Sequence, residues 1–155
     1  MLQCGGKHAT STTTNATTSS TAGTTTTHPA KATNAIALAR SLGCVHPTTV
    51  ISVEVIPPKP TADVHCTLPD HSEIGISTYT PSGMVVIMSP RYQATLCRVA
   101  RDIGPKTLYY VYGGDFVADV RINVVVKVTP NPKYHAQSQA LATALGIKLT
   151  TVPCS

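Results

Sequence analysis

The sequence predicts an α+β head, an antiparallel β-sheet with about three helices packed on it and two disulfides, preceded by a disordered Thr-rich tether. Three observations predict it. Helical and strand periods follow one another in the order helix, three or four strands, helix, two strands, helix, which suits helices laid on one face of an antiparallel sheet better than a doubly wound nucleotide fold. Thr10 to Thr27 holds fourteen Thr or Ser in eighteen residues and no charge, a composition too polar and uniform to bury a core. Four of the five cysteines lie beyond residue 31, as expected of an exported domain. Residues 1–30 are therefore read as tether and residues 31–155 as one domain of ordinary size.

Each element has a local cause. From Thr33 to Gly43 the positions Ala35, Ile36, Ala39 and Leu42 keep a helical period, with Thr33 or Asn34 as N-cap and Gly43 as stop. Thr49 to Ile56 alternates Ile51, Val53 and Val55 with Ser52 and Glu54, the period of a half-buried strand, and Pro57, Pro58 and Pro60 end it. Ala62 to Leu68 alternates again and turns Cys66 inward; Pro69 to Ser72 is a turn into a second strand, Glu73 to Thr80. The short apolar run Met84 to Met88 is either a third strand edge or a loop packed on the core, with the strand preferred. Ser89-Pro90 then caps a helix whose stripe is Tyr92, Leu96, Val99 and Ile103. Thr107 to Tyr112 and Phe116 to Val128 are strands around Gly113-Gly114-Asp115, and Asn131-Pro132 opens a last helix that runs through Leu145 to Gly146 and an extended tail.

The core must be built from Val, Ile, Leu, Ala and Tyr, since there is no Trp and a single Phe116. Cross-links help so light a core. Cys44, Cys66, Cys97 and Cys154 allow three pairings; the one adopted is Cys44–Cys66 with Cys97–Cys154, because the final segment needs a staple. On the loop-entropy account each bridge contributes roughly 3 to 4 kcal/mol. Cys4 is left over.

Composition narrows the function classes. The net charge of +5 comes from twelve Lys and Arg dispersed along the chain; the one grouping, Arg91, Arg98, Arg101 and Lys106, lacks the density of a phosphate-tracking patch, so no nucleic-acid partner is expected. No run of about 20 apolar residues is present to span a bilayer. Asn15-Ala16-Thr17 fits a glycosylation triplet, which a Thr-rich tract produces by chance. His46, His65 and His71 surround the Cys44 and Cys66 region, but His65 and Asp63 share an outward strand face and the cysteines are better used in a bridge, so no metal is expected. Cys97 beside Arg98 and Arg101 is the one candidate nucleophile, and Cys154 competes for it. Asp115 and Asp119 are the nearest carboxylate pair on a strand, and Asp115 reads as a turn residue. Gly113-Gly114 has no helix after it and so is no phosphate loop. No catalytic residue and no cofactor is expected. Tyr79, Tyr109, Tyr110 and Tyr112, together with Arg91, Arg98 and Arg101, are the candidate binding residues, with about half of the tyrosines serving as core.

Four segments carry a resemblance: Ala35 to Cys44 ending Leu-Gly-Cys, His65-Cys66-Thr67-Leu68-Pro69-Asp70, Glu73 to Thr80, and Tyr110 to Val120 with its Gly-Asp-Phe-Val. They are similar to the small secreted or lipid-anchored envelope proteins of actinobacteria and their phages, over roughly residues 33 to 146. The resemblance implies location and the first disulfide, and no activity. Phe116 stands where that group usually has Trp, and Cys97 with Cys154 is a further pair. Cys4 is then the expected lipid anchor, with Gln3 in place of the small residue that normally precedes one. The expected protein is a non-catalytic surface protein at the outer face of the membrane, or secreted, that binds a protein partner such as a phage component in superinfection exclusion. The alternatives are a small secreted hydrolase and a structural virion or surface-layer protein.

Overall fold

The computed structural model describes residues 34–51, 56–101, 105–122 and 131–154. Cys4, the Thr tract and most of the alternating stretch at 51–55 lie outside the described residues, as do residues 123–130, onto which the strand expected from Phe116 to Val128 runs. The fold is α+β, with a six-stranded antiparallel sheet and, among the described residues, four helices. In chain order these are α1 (Ala35–Ser41), β1 (Val45–Thr49), β2 (Ala62–Thr67), β3 (Glu73–Thr78), α2 (Pro81–Ile87), α3 (Pro90–Arg101), β4 (Thr107–Tyr112), β5 (Phe116–Val120), α4 (Tyr134–Leu145) and β6 (Thr150–Pro153). Across the sheet the strands run β1-β2-β3-β5-β4-β6.

One face of the sheet is the main core. Strand alternation puts Val64 and Cys66, Ile74 and Ile76, Val111, and Phe116, Ala118 and Val120 on it, all buried. Helix α1 lays Ala35 and Ala39 on this face and α4 lays Tyr134, Leu141 and Ala142 beside them. Asn34 caps α1 by accepting from the Ile36 and Ala37 amides at 3.0 and 3.1 Å. Gly146, at φ +64°, takes the left-handed conformation that ends α4. Gly113 is required for a different reason: a Cβ there would overlap the Phe116 ring, which folds back over the β4–β5 turn.

Both predicted bridges are present, Cys44–Cys66 and Cys97–Cys154, with Cα atoms 5.6 and 5.0 Å apart. The first ties the end of α1 to β2, and the second ties α3 to the edge strand β6, into which the extended tail has folded beside β4.

Three readings change. Met84 to Met88 belongs to a helix: Thr80 accepts from the Gly83 amide at 3.2 Å, Pro81 fills the first turn, and Met84 and Ile87, three residues apart, face inward. The cap and proline outweigh the β-branched Val85 and Val86, which stand exposed. Helices therefore cover both faces of the sheet, α2 and α3 lying opposite α1 and α4. The first strand also starts earlier, at Val45, because an edge strand with a register shift between Val45 and Thr48 accommodates Pro47; Ile51 is 87% exposed.

Candidate functional site

The second face of the sheet is built differently. Alternation turns Asp63 and His65 of β2, Gly75 and Ser77 of β3, Val117 and Asp119 of β5, and Tyr110 and Tyr112 of β4 onto it. Helix α2 sets Met84 and Ile87 on Tyr79 and Val117, and α3 sets Ala100 and Leu96 near Leu108 and Val152. Their cover stops short of β2 and β3. What remains is a recess of about 400 Å³ walled by tyrosines and floored by Asp63, Ser77, Asp119 and Arg121.

Register brings the polar groups together. His65 pairs with Gly75 and Gly75 with Asp119, so the three stand in one row across the sheet. A Cβ on Gly75 would lie 3.1 Å from Asp119 Oδ1 and 3.3 Å from Arg121 Cδ. The missing side chain is what lets the carboxylate and the guanidinium stem lie over the middle strand. Arg121 Nη1 is 2.6 Å from His65 Nε2. A guanidinium only donates, so Nε2 accepts, and His65 is the neutral ring with its proton on Nδ1. Burial and the Arg121 charge hold its pKa below the ordinary value, against the pull of Asp63 and Glu73. Asp63 Oδ1, 3.5 Å from the same nitrogen, is thus a neighbour of a neutral ring rather than an ion-pair partner.

The two carboxylates differ. Asp63 is buried and accepts from Ser77 Oγ at 3.1 Å. Asp119 receives no hydrogen bond from any described residue. Water reaches it through the recess mouth, so it keeps some exposed area, but the surrounding walls exclude most of the solvent. That desolvation pushes its pKa up to about 6; Arg121 opposes the rise and the charge of Asp63 adds to it. In the same recess the Tyr112 hydroxyl is buried with no partner of good hydrogen-bond geometry, the Gln93 side chain being near enough only to temper its raised pKa. Burial drives the Tyr110 phenol up further still.

Similarity to known proteins adds nothing to this geometry. No family model, curated protein or solved structure matches the chain.

The Arg121–His65 pair is a ridge. Beyond it a second, open recess of about 750 Å³ runs between β1 and the β2–β3 turn, with His46, His71 and Glu73 on its walls. His46 and His71 both have positive φ. Among the described residues no three His, Cys, Asp or Glu side chains are placed to hold a metal ion, and no helix is long and apolar enough to cross a membrane.

The candidate binding residues separate. Tyr79, Tyr110 and Tyr112 meet on the second face with Tyr92, Tyr110 and Tyr112 having ring centroids 5.9 Å apart. Tyr109 lies on the opposite face against Tyr134 and His135, its amide donating to the Tyr134 hydroxyl at 3.2 Å. Arg91, Arg98 and Arg101 form an exposed stripe on α3. Cys97 is consumed in its bridge, and Asp115 sits in the β4–β5 turn, its backbone carbonyl accepting from the Tyr79 amide at 2.8 Å. Sequence reasoning passed over Ser77 and Arg121, noted Asp63 only as the outward neighbour of His65, weighed Asp119 only in a carboxylate pair with Asp115, and weighed His65 only as a metal ligand. A signal was there: Ala62-Asp63-Val64-His65 and Ala118-Asp119-Val120-Arg121 repeat one pattern, Ala-Asp-Val-basic. Both copies put Ala and Val on the core side and Asp and the basic residue on the other, on the two strands that flank β3.

Proposed function

We propose that the chain is a non-catalytic binding protein of the extracytoplasmic surface, with the second face of its sheet as the recognition site and the Thr-rich segment as the tether that gives it reach. The observation that carries this reading is the division of the sheet. One face is apolar and fully used for folding, whereas the other keeps a concave patch of carboxylates, a guanidinium and tyrosines that the flanking helices leave open. The two disulfides support an oxidising compartment. Attachment through Cys4, and the meeting of an incoming phage component in superinfection exclusion, are the finer form of the proposal and rest on the resemblance of the sequence motifs.

A small hydrolase is the second reading, favoured by one observation: two neighbouring carboxylates whose environments differ, the arrangement that separates an acid from a base. Against it, the His65 ring is committed to Arg121 and Ser77 donates to Asp63, so no described residue stands as an activated nucleophile. The test is photo-cross-linking in the producing cell from p-benzoylphenylalanine placed at Tyr112, with Thr143 on the exposed side of α4 as control position. Adducts from position 112 alone are expected. Equal yields from both positions, or adducts from 143 only, would contradict the assignment of the second face.

A further inference from the structure

We infer that the recess on the second sheet face takes a primary ammonium group on an apolar stem; the inference rests on the binding reading above and names the chemistry of that site. The argument starts from charge. The recess walls carry two carboxylates, Asp63 and Asp119, against the single guanidinium of Arg121, with His65 neutral beside it. Once both carboxylates are ionised the enclosure holds one negative charge in excess, and a monocation completes it. An anion would meet two carboxylates in a poorly solvated space, and a neutral polyol would leave the excess charge uncompensated.

Hydrogen-bond accounting points the same way. An ammonium head has three N–H donors and no acceptor. The recess holds acceptors in need of donors: the Asp119 carboxylate, to which no described residue donates, and the Tyr112 hydroxyl, which is buried with no contact of good hydrogen-bond geometry and only the Gln93 side chain near it. Asp63 uses Oδ1 for Ser77 and has its second oxygen besides. Around them stand Tyr79, Tyr92, Tyr110 and Tyr112, whose ring faces attract a cation and whose edges, with Ile87 and Leu96, suit a methylene stem. Arg121 does not fill this role itself, because its Nη1 is turned to His65 at the ridge between the two recesses.

Ligation and protonation are then linked. The groups around Asp119 are Asp63 and His65 from β2, Glu73 from β3 and Tyr79 just after it, Tyr110 and Tyr112 from β4, Tyr92 from α3, Tyr134 from α4, and Arg121 beyond β5, while α2 contributes no titratable side chain. With a folded pKa of about 6, Asp119 is almost wholly ionised at pH 7.5 and roughly one-tenth ionised at pH 5. Ammonium affinity should therefore drop about tenfold between these pH values.

The same chemistry has two sources, a free alkylamine or a lysine side chain of a partner protein, and one titration separates them. Isotope-labelled full chain is titrated with n-butylammonium chloride, with Nα-acetyl-lysine N-methylamide, and with the Nε-acetylated form of the latter as neutral control, following side-chain and amide NMR shifts. Both amines are expected to bind saturably at the recess tyrosines and the neutral control to leave them unmoved. A lysine derivative at least tenfold tighter than butylammonium assigns the site to a polypeptide partner, and the reverse order to a free amine. Asp119→Asn should lose at least tenfold in affinity and most of the pH dependence, what is left being that of His65, and Tyr112→Phe several-fold, with both disulfides intact by non-reducing mass spectrometry. Equal binding of amine and neutral control, absence of binding by either amine, or unchanged affinity in both variants would overturn the inference. Persistence of position-112 cross-links in that event would show that the second face still binds a partner, by other chemistry.

Discussion

Replacing Cys97 and Cys154 together by serine should lower the unfolding free energy by roughly 4 kcal/mol, the loop-entropy value for a bridge across 57 residues. The size of the loss follows from where the bridge sits. Strand β6 is four residues long and, among the described residues, lies at the sheet edge and pairs only with β4. Its anchorage otherwise rests on Val152, packed with Leu108 and Ala100. Without the bridge β6 should fray and α3 should loosen on the sheet, and α3 carries Tyr92 and Leu96, part of the recess wall. The Cys44→Ser/Cys66→Ser pair closes only 22 residues and should cost somewhat less, about 3 kcal/mol. Urea unfolding measures both losses, and amide hydrogen exchange should show early loss of protection in β6 for the first pair and not for the second. A loss under about 1 kcal/mol for the Cys97–Cys154 pair would mean that the tail is held by its strand pairing alone.

Asp119→Asn should make the protein more stable at neutral pH, by up to ~3 kcal/mol. A folded pKa of about 6 against the ordinary 3.8 means that, between those pH values, the folded protein keeps a proton the unfolded chain has released. Stability from this carboxyl therefore falls as pH rises from about 4 to 6 and stays at its reduced level above. His65 acts in the opposite sense over part of that range. Its folded pKa lies below 6.5, so as pH falls through that value the unfolded chain takes a proton first and stability drops. Subtracting the variant from the parent at each pH removes the His65 contribution. The expected difference is largest at pH 7 and above and closes towards pH 4; a variant less stable than the parent at pH 7 would show that the Asp119 charge supports the fold.

How much of this was legible in the letters depended on which face a residue served. The helix at Ala35, the hairpin through Pro69 and the capped helix after Ser89 were readable because apolar period and end signals agreed. The α2 helix was not, because Val85, Val86 and Ile87 imitate a strand and the Thr80-Pro81 cap lies outside the apolar run. The recess was harder still. Asp63, His65, Asp119 and Arg121 read as the solvated side of half-buried strands, and only the register across Gly75 shows that they converge in the recess that α2 and α3 leave open. Tyrosines next to one another in sequence, Tyr109 and Tyr110, point to opposite faces and serve opposite ends, core and recess.

That division is tested most directly by one comparison, the urea unfolding midpoints of Tyr112→Phe and Tyr134→Phe at pH 7. The Tyr134 hydroxyl, on the folding face, accepts from the Tyr109 amide, and its removal should cost about 1 kcal/mol. The Tyr112 hydroxyl, on the binding face, is buried with no partner of good hydrogen-bond geometry, only the Gln93 side chain lying near it, so its removal should leave the midpoint unchanged or raise it. A loss for Tyr112→Phe as large as that for Tyr134→Phe would mean that the second face, like the first, is built for folding, and would contradict its assignment as the working face.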